Sequence, residues 1–224
     1  MSDKTKTESK AEQRSYTFEI RAEETEQGNI ITGRPIVYNS RTDLGYFDEI
    51  IEAGALDRTD LTDVRFLVNH DTNKIPLARS RRNNGNSTMF LSVVPDGMDI
   101  RVTLDTENNV DAKALYSAVS RGDISGMSFM FVVGDEEWDN LDSDHPTRRI
   151  KSIKTVIEVS AVTFPAYAAT EIFARSKEAL DNARATLDNV RQLRDENTVD
   201  TVINATKELE LLKEKTKLLG GKTK

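Results

Sequence analysis

The sequence contains no cysteine, which excludes disulfides, thiol catalysis and thiolate metal sites and fits a reducing compartment. Histidine is nearly as scarce: of 224 residues only two are histidine, His70 and His145. Any mechanism that needs an imidazole base must therefore draw on one of these. Long apolar runs are also missing. None approaches the ~18 residues that a membrane span requires, and the first fourteen residues lack the apolar core of a signal peptide. Positive charge is in deficit, with 31 Lys and Arg against 38 Asp and Glu, a formal net charge of -7. Phosphate binding needs a dense basic face, so neither nucleic acid nor membrane is expected as a main partner. The expected setting is the cytoplasm, or an assembly built there.

Several familiar chemistries lack their signatures. There is no HExxH pair for zinc, no Walker A or GxGxxG loop, and no GxSxG nucleophile elbow of the α/β-hydrolase kind. The acidic stretch Asp135 to Asp144 lacks EF-hand spacing and reads as a solvated loop. No metal and no cofactor are expected.

What is present is a hydrophobic fraction of 37% and a charged fraction of 31%, enough for one well-packed domain with an appendage. Residues 1–14, rich in Lys, Glu, Ser and Thr, read as a disordered polar arm. From Ser15 the pattern alternates, with Tyr16, Phe18 and Ile20 on one face. A second strand is expected over Ile30 to Tyr38, where Pro35 demands an edge or a bulge. Further strands follow at Tyr46 to Ile51 and Val64 to Val68, with a short helix or turn between them. Pro95-Asp96-Gly97 reads as a hairpin joining Ser87–Val94 to Met98–Leu104. Asn109 reads as the N-cap of a helix over Val110 to Ser120, with Ala112, Leu115, Tyr116 and Val119 on its apolar side and Gly122 as the stop. Strands at Met127 to Val133 and Arg149 to Val162 complete a mainly β body with helices, 15–175. Residues 176–224 then read as an amphipathic helical tail, either capping the body or docking on a partner. The basic clusters, Arg79, Arg81 and Arg82, and Arg148, Arg149, Lys151 and Lys154, read as solvated surface.

Three positions carry candidate chemistry. His70 closes an apolar strand and opens a turn, where a rigid element can present a side chain; His145 sits in an acidic loop. Ser128 lies within the apolar strand Gly126-Met127-Ser128-Phe129-Met130-Phe131. A hydroxyl there is either bonded to a carbonyl as structure or is a nucleophile beside an imidazole. Ser125 is its rival. Glu158, among β-branched residues, needs a partner if it faces inward. An imidazole N–H would suit, and the pairing would fix the tautomer of a general base.

Three segments together resemble the prohead maturation protease family of tailed phages. They are Phe47-Asp48-Glu49-Ile50-Ile51-Glu52-Ala53-Gly54-Ala55-Leu56 leading to Phe66-Leu67-Val68-Asn69-His70-Asp71, then Gly122 to Phe131, then Glu158 to Ala166. The resemblance spans roughly Tyr16 to Arg175. It implies that the family's catalytic histidine falls at His70 and its serine at Ser128 rather than Ser125. Met130 departs from the small residue the family often has, which bears on substrate preference. The family looks related to the herpesvirus assemblins, whose β-barrel flanked by helices carries a Ser–His–His set. A herpesvirus-protease-like barrel is thus expected here, with Glu158 preferred over His145 as third member. The implied activity is that of a serine endopeptidase that cleaves capsid scaffold segments and itself, acting on the major capsid protein inside the assembling prohead in the host cytoplasm, with a homo-oligomer left open. Backbone N–H groups would bind the oxyanion, with Arg148 or Arg149 as side-chain candidates. The competing expectations are a non-catalytic scaffolding module docking through the tail, and a generic serine esterase.

Overall fold

The computed structural model describes residues 11–16, 20–26, 28–163 and 176–194. The strands, in chain order, are β1 (Ala11–Tyr16), β2 (Ile20–Thr25), β3 (Gly28–Val37), β4 (Arg41–Asp43), β5 (Asp48–Ile51), β6 (Arg65–Val68), β7 (Ala78–Arg79), β8 (Met89–Val94), β9 (Gly97–Leu104), β10 (Gly126–Asp139) and β11 (Thr147–Val162). Helix α1 covers Val110–Ser120, and residues 176–194 form a second helix, α2. The chain divides into two units, with the boundary at Glu178 and Ala179. The rest of the expected tail, the positions 17–19 of the expected first strand, and Phe164 to Ala166 lie outside the described residues.

The fold is mainly β with helices, as expected. Its strands make a four-stranded sheet, β2-β3-β9-β8, and a seven-stranded sheet, β1-β10-β11-β5-β4, with β6 also on β11 and β7 on β6. No closed barrel is found among the described residues. The long strand β11 instead carries two separate parallel partners on one side, β5 along Thr147–Ile150 and β6 along Glu158–Ala161.

Pro35 has the effect its missing N–H requires. β3 is paired on both sides, so it is not an edge, and its register to β9 skips between Gly33 and Ile36. The hairpin between β8 and β9 turns on Pro95 and Asp96. Gly97 follows with φ of 148°, and a Cβ there would lie 1.9 Å from the carbonyl oxygen of Ile36. Gly97→Ala is therefore expected to destabilise the fold by more than about 1 kcal/mol, seen as a lower midpoint in chemical denaturation. The helix α1 begins where the sequence places it: the Asn109 side chain accepts from the N–H groups of Asp111 and Ala112 at 3.0 and 3.2 Å. Its buried face is Ala112, Leu115 and Val119, packed in one core with Met127, Phe129 and Phe131 of β10 and Ile100 and Val102 of β9.

Two expectations are corrected. First, the polar arm does not run to residue 14. Ala11–Tyr16 form β1, antiparallel to β10, with Arg14 opposite Phe129 and Ser15 opposite Ser128. Second, the acidic stretch is not all loop, and the basic cluster that follows it is not free surface. Asp135–Asp139 continue β10 alongside β11. Across that pair Arg148 donates to Glu136, Arg149 donates to Asp139 at 2.5 Å, and Lys151 meets Glu137 at 2.9 Å. Opposite charges on adjacent strands attract at this range, so two runs that look solvated separately are each other's partners.

The inner end of this network is buried. Arg14 and Glu49 are 4% and 1% exposed. Arg14 grips Glu49 with two bonds, 2.5 and 2.6 Å, and Arg148 grips Glu12 with two, 2.7 and 2.8 Å. Burial pushes the Glu12 carboxyl up, but the hydrogen bonds from Arg148 and the charges of Arg14 and Arg148 outweigh it and hold it at about 2. Because its folded value lies below the ordinary one, the stabilisation from this pairing is full at neutral pH. It is lost only as pH falls from the ordinary carboxylate range through about 2.

Candidate active site

Strand β6 delivers His70. It runs parallel to β11, and its last hydrogen bond is from the Asn69 N–H to the Ala161 carbonyl at 2.9 Å. Asn69 and His70 then both adopt left-handed backbone, φ 51° and 58°, which turns the chain back over β11. Such a conformation costs a non-glycine residue ~1–2 kcal/mol, least for asparagine. Asn69 also brackets the turn: its Oδ1 accepts from the Thr163 N–H at 2.9 Å and its Nδ2 donates to the Thr163 hydroxyl at 3.0 Å.

Strand β10 delivers Ser128, and β11 delivers Glu158. Ser128 stands opposite Ser160, and Met130 opposite Glu158. Ser128 and Glu158 are buried at 0% and 1% exposure. The imidazole of His70 lies between them. Its Nε2 is 2.6 Å from Ser128 Oγ, and its Nδ1 is hydrogen-bonded to Glu158 Oε1. A carboxylate facing Nδ1 holds the ring proton there and leaves Nε2 as an acceptor toward the serine. The Ser128 hydroxyl also has the Arg14 carbonyl within 2.7 Å as an acceptor. One proton serves one acceptor at a time, so β1 and His70 compete for it.

The other sequence candidates lie elsewhere. His145 is 42% exposed and pairs with Asp48 at 3.3 Å and Asp43 at 3.8 Å. Ser125 is exposed and precedes β10. Arg148 and Arg149 spend their donors on carboxylates, which removes the reason for aiming either at an oxyanion.

Ser160, which the sequence alone does not single out, joins this set. Its hydroxyl donates to Glu158 Oε2 at 2.6 Å and accepts from the His70 N–H at 3.1 Å, so it ties the carboxylate to the backbone of the histidine turn. The signal was available: strand alternation puts Ser160 on the face of Glu158, two residues on. Ser160→Ala is expected to lower kcat about 10–100-fold, the worth of one hydrogen bond to a carboxylate. KM should stay nearly unchanged in steady-state kinetics, because the two bonds of Ser160 go to Glu158 and to the His70 backbone.

A buried hydroxyl, an imidazole and a carboxylate in this order are the parts of a serine hydrolase, and such sets recur on unrelated folds. The family model for the caudovirus prohead serine proteases matches residues 16–185. The chain belongs to that family. It is thus a serine protease of bacteriophage capsid maturation, whose substrates are capsid proteins and whose place of action is the assembling prohead. The matched span contains His70, Ser128 and Glu158. Comparisons with curated proteins and with solved structures gave no match. Among the described residues, no helix is long and apolar enough to cross a membrane.

Proposed function

We propose that Ser128 is the nucleophile of this prohead protease, His70 its general base and Glu158 the residue that orients and steadies the imidazole. The observation that carries the reading is the 2.6 Å approach of His70 Nε2 to Ser128 Oγ with Glu158 on the opposite ring nitrogen. As Ser128 Oγ attacks a peptide carbonyl, His70 takes its proton. The imidazolium, held against Glu158, then gives that proton to the leaving amine, and an acyl-enzyme remains. Water, deprotonated by the same imidazole, releases the acid. General-base assistance of this kind is worth ~10²–10⁴ in rate, and backbone N–H groups serve the oxyanion.

The substrates on this reading are capsid scaffold segments and the protease chain itself. An apolar cavity of about 280 Å³ beside the histidine turn, lined in part by Leu67, Val68, Leu115 and Ile124, is suited to an aliphatic side chain of a bound peptide. No observation favours the scaffolding or esterase alternatives.

Labelling tests the assignment. The purified protein, incubated for hours with a serine-reactive aryl phosphonate, should gain one adduct that peptide mapping places on Ser128, and His70→Ala should not label. An adduct on Ser125, or equal labelling without His70, would remove the assignment.

A further inference from the structure

The strand β1 meets the catalytic face as a substrate would. A protease substrate in extended form adds as a strand beside the nucleophile, exchanging main-chain hydrogen bonds and placing alternate side chains in pockets. β1 runs antiparallel to β10, the strand of Ser128, with Ser15 opposite that serine. The carbonyl oxygen of Arg14 lies 2.7 Å from Ser128 Oγ and accepts its hydroxyl proton. Since a C=O bond is about 1.23 Å, the Arg14 carbonyl carbon lies within about 4 Å of the nucleophilic oxygen.

The side chains on the same strand are held as in a recognition site. Arg14, whose carbonyl is at the nucleophile, enters a buried slot with its guanidinium paired two-fold to Glu49 and its cationic carbon 5.6 Å from the Phe131 ring centroid. Glu12, two positions earlier on the same face, is clasped by Arg148. A buried ion pair adds little net stability over an apolar contact of equal size. What a planar two-bond grip supplies is selectivity for arginine.

We propose that β1 is bound as the enzyme's own first substrate, and that the chain cuts itself between Arg14 and Ser15, with Glu49 selecting arginine and Arg148 an acidic residue two positions before it. The inference rests on the assignment of Ser128 as nucleophile and names the class of peptide that site takes: an extended segment of the form acidic-x-Arg. The Arg14 peptide turns its carbonyl carbon toward Ser128. Oγ forms an ester with that carbon and the C–N bond to Ser15 breaks. The Ser128 proton passes through His70 to the new Ser15 amine, and one water hydrolyses the ester to the Arg14 carboxylate. The family match covers residues 16–185, which follow the proposed cut.

The test reads the N-terminus of the protease in cells that also express its capsid protein, whose processing reports peptidase activity. Wild-type protease should be recovered beginning at Ser15. Ser128→Ala should keep residues 1–14, which excludes cutting by a host enzyme. Arg14→Gln should slow the cut at least 10²-fold, while Arg14→Lys, which keeps the charge, should retain part of it. A synthetic peptide of residues 9–20 should be cut after arginine, and Glu49→Gln, checked for folding by its circular dichroism, should lose that preference. Capsid protein processed by a protease that still carries residues 1–14 would overturn the inference and leave the nucleophile assignment standing. Capsid protein and arm both uncut would sink the assignment, and the inference with it.

Discussion

Ser128→Ala is expected to reduce peptidase activity by on the order of 10⁵–10⁶-fold, the loss seen when a nucleophile that works as a unit with its base is removed. The fold should survive. Ser128 lies near the start of β10 with register partners on both sides, and alanine keeps the backbone ladder while removing only side-chain hydrogen bonds, each worth about 1 kcal/mol. The thermal midpoint and the kinetics are therefore expected to separate: a small shift in the first beside near-total loss in the second. A merely structural serine would give the reverse, with modest kinetics and a clear stability change. The same comparison made with Ser125→Ala should show neither effect, because that residue is exposed ahead of the strand.

The second large effect is that of Glu158→Gln, expected to cost on the order of 10³–10⁴ in kcat, as when the orienting acid of a Ser–His–Asp set is made neutral. The amide keeps the shape but can present its NH₂ to Nδ1, which puts the ring proton on Nε2 and points a donor at Ser128 where an acceptor is needed. The imidazolium also loses the charge that faces it. Ser160, which donates to Glu158 Oε2 at 2.6 Å, would help fix the amide in place. His145→Ala, at a residue paired with Asp48 at 3.3 Å, should leave kcat within twofold. Steady-state kinetics on one peptide substrate checks both. A severe loss in His145→Ala with a mild one in Glu158→Gln would exchange their roles.

Much of the fold was legible because its signals are local. Asn109 with the 3.6-residue spacing of Ala112, Leu115 and Val119 defines α1, Pro95-Asp96-Gly97 defines the β8–β9 turn, and alternation defines the core face of β10. The scarcity of histidine made His70 conspicuous, and the three family-like segments raised Ser128 above Ser125. What stayed hidden depends on partners distant in the chain. Arg14 looks like a surface residue in a polar arm until Glu49, 35 residues away, is beside it. The acidic run after Val133 looks solvated until Arg148 and Arg149 arrive from β11. The barrel expectation is not confirmed among the described residues: there β11 shares one side between β5 and β6, and no property of either strand alone announces that. The left-handed pair Asn69 and His70 leaves a faint trace in the asparagine, a residue that tolerates such backbone.

The most direct measurement is intact-mass spectrometry of the capsid protein co-expressed with wild-type protease or with its Ser128→Ala and Ser125→Ala forms. The account predicts a shortened capsid protein with wild type and with Ser125→Ala, and the full-length mass with Ser128→Ala. A shortened capsid protein in the presence of Ser128→Ala would contradict it.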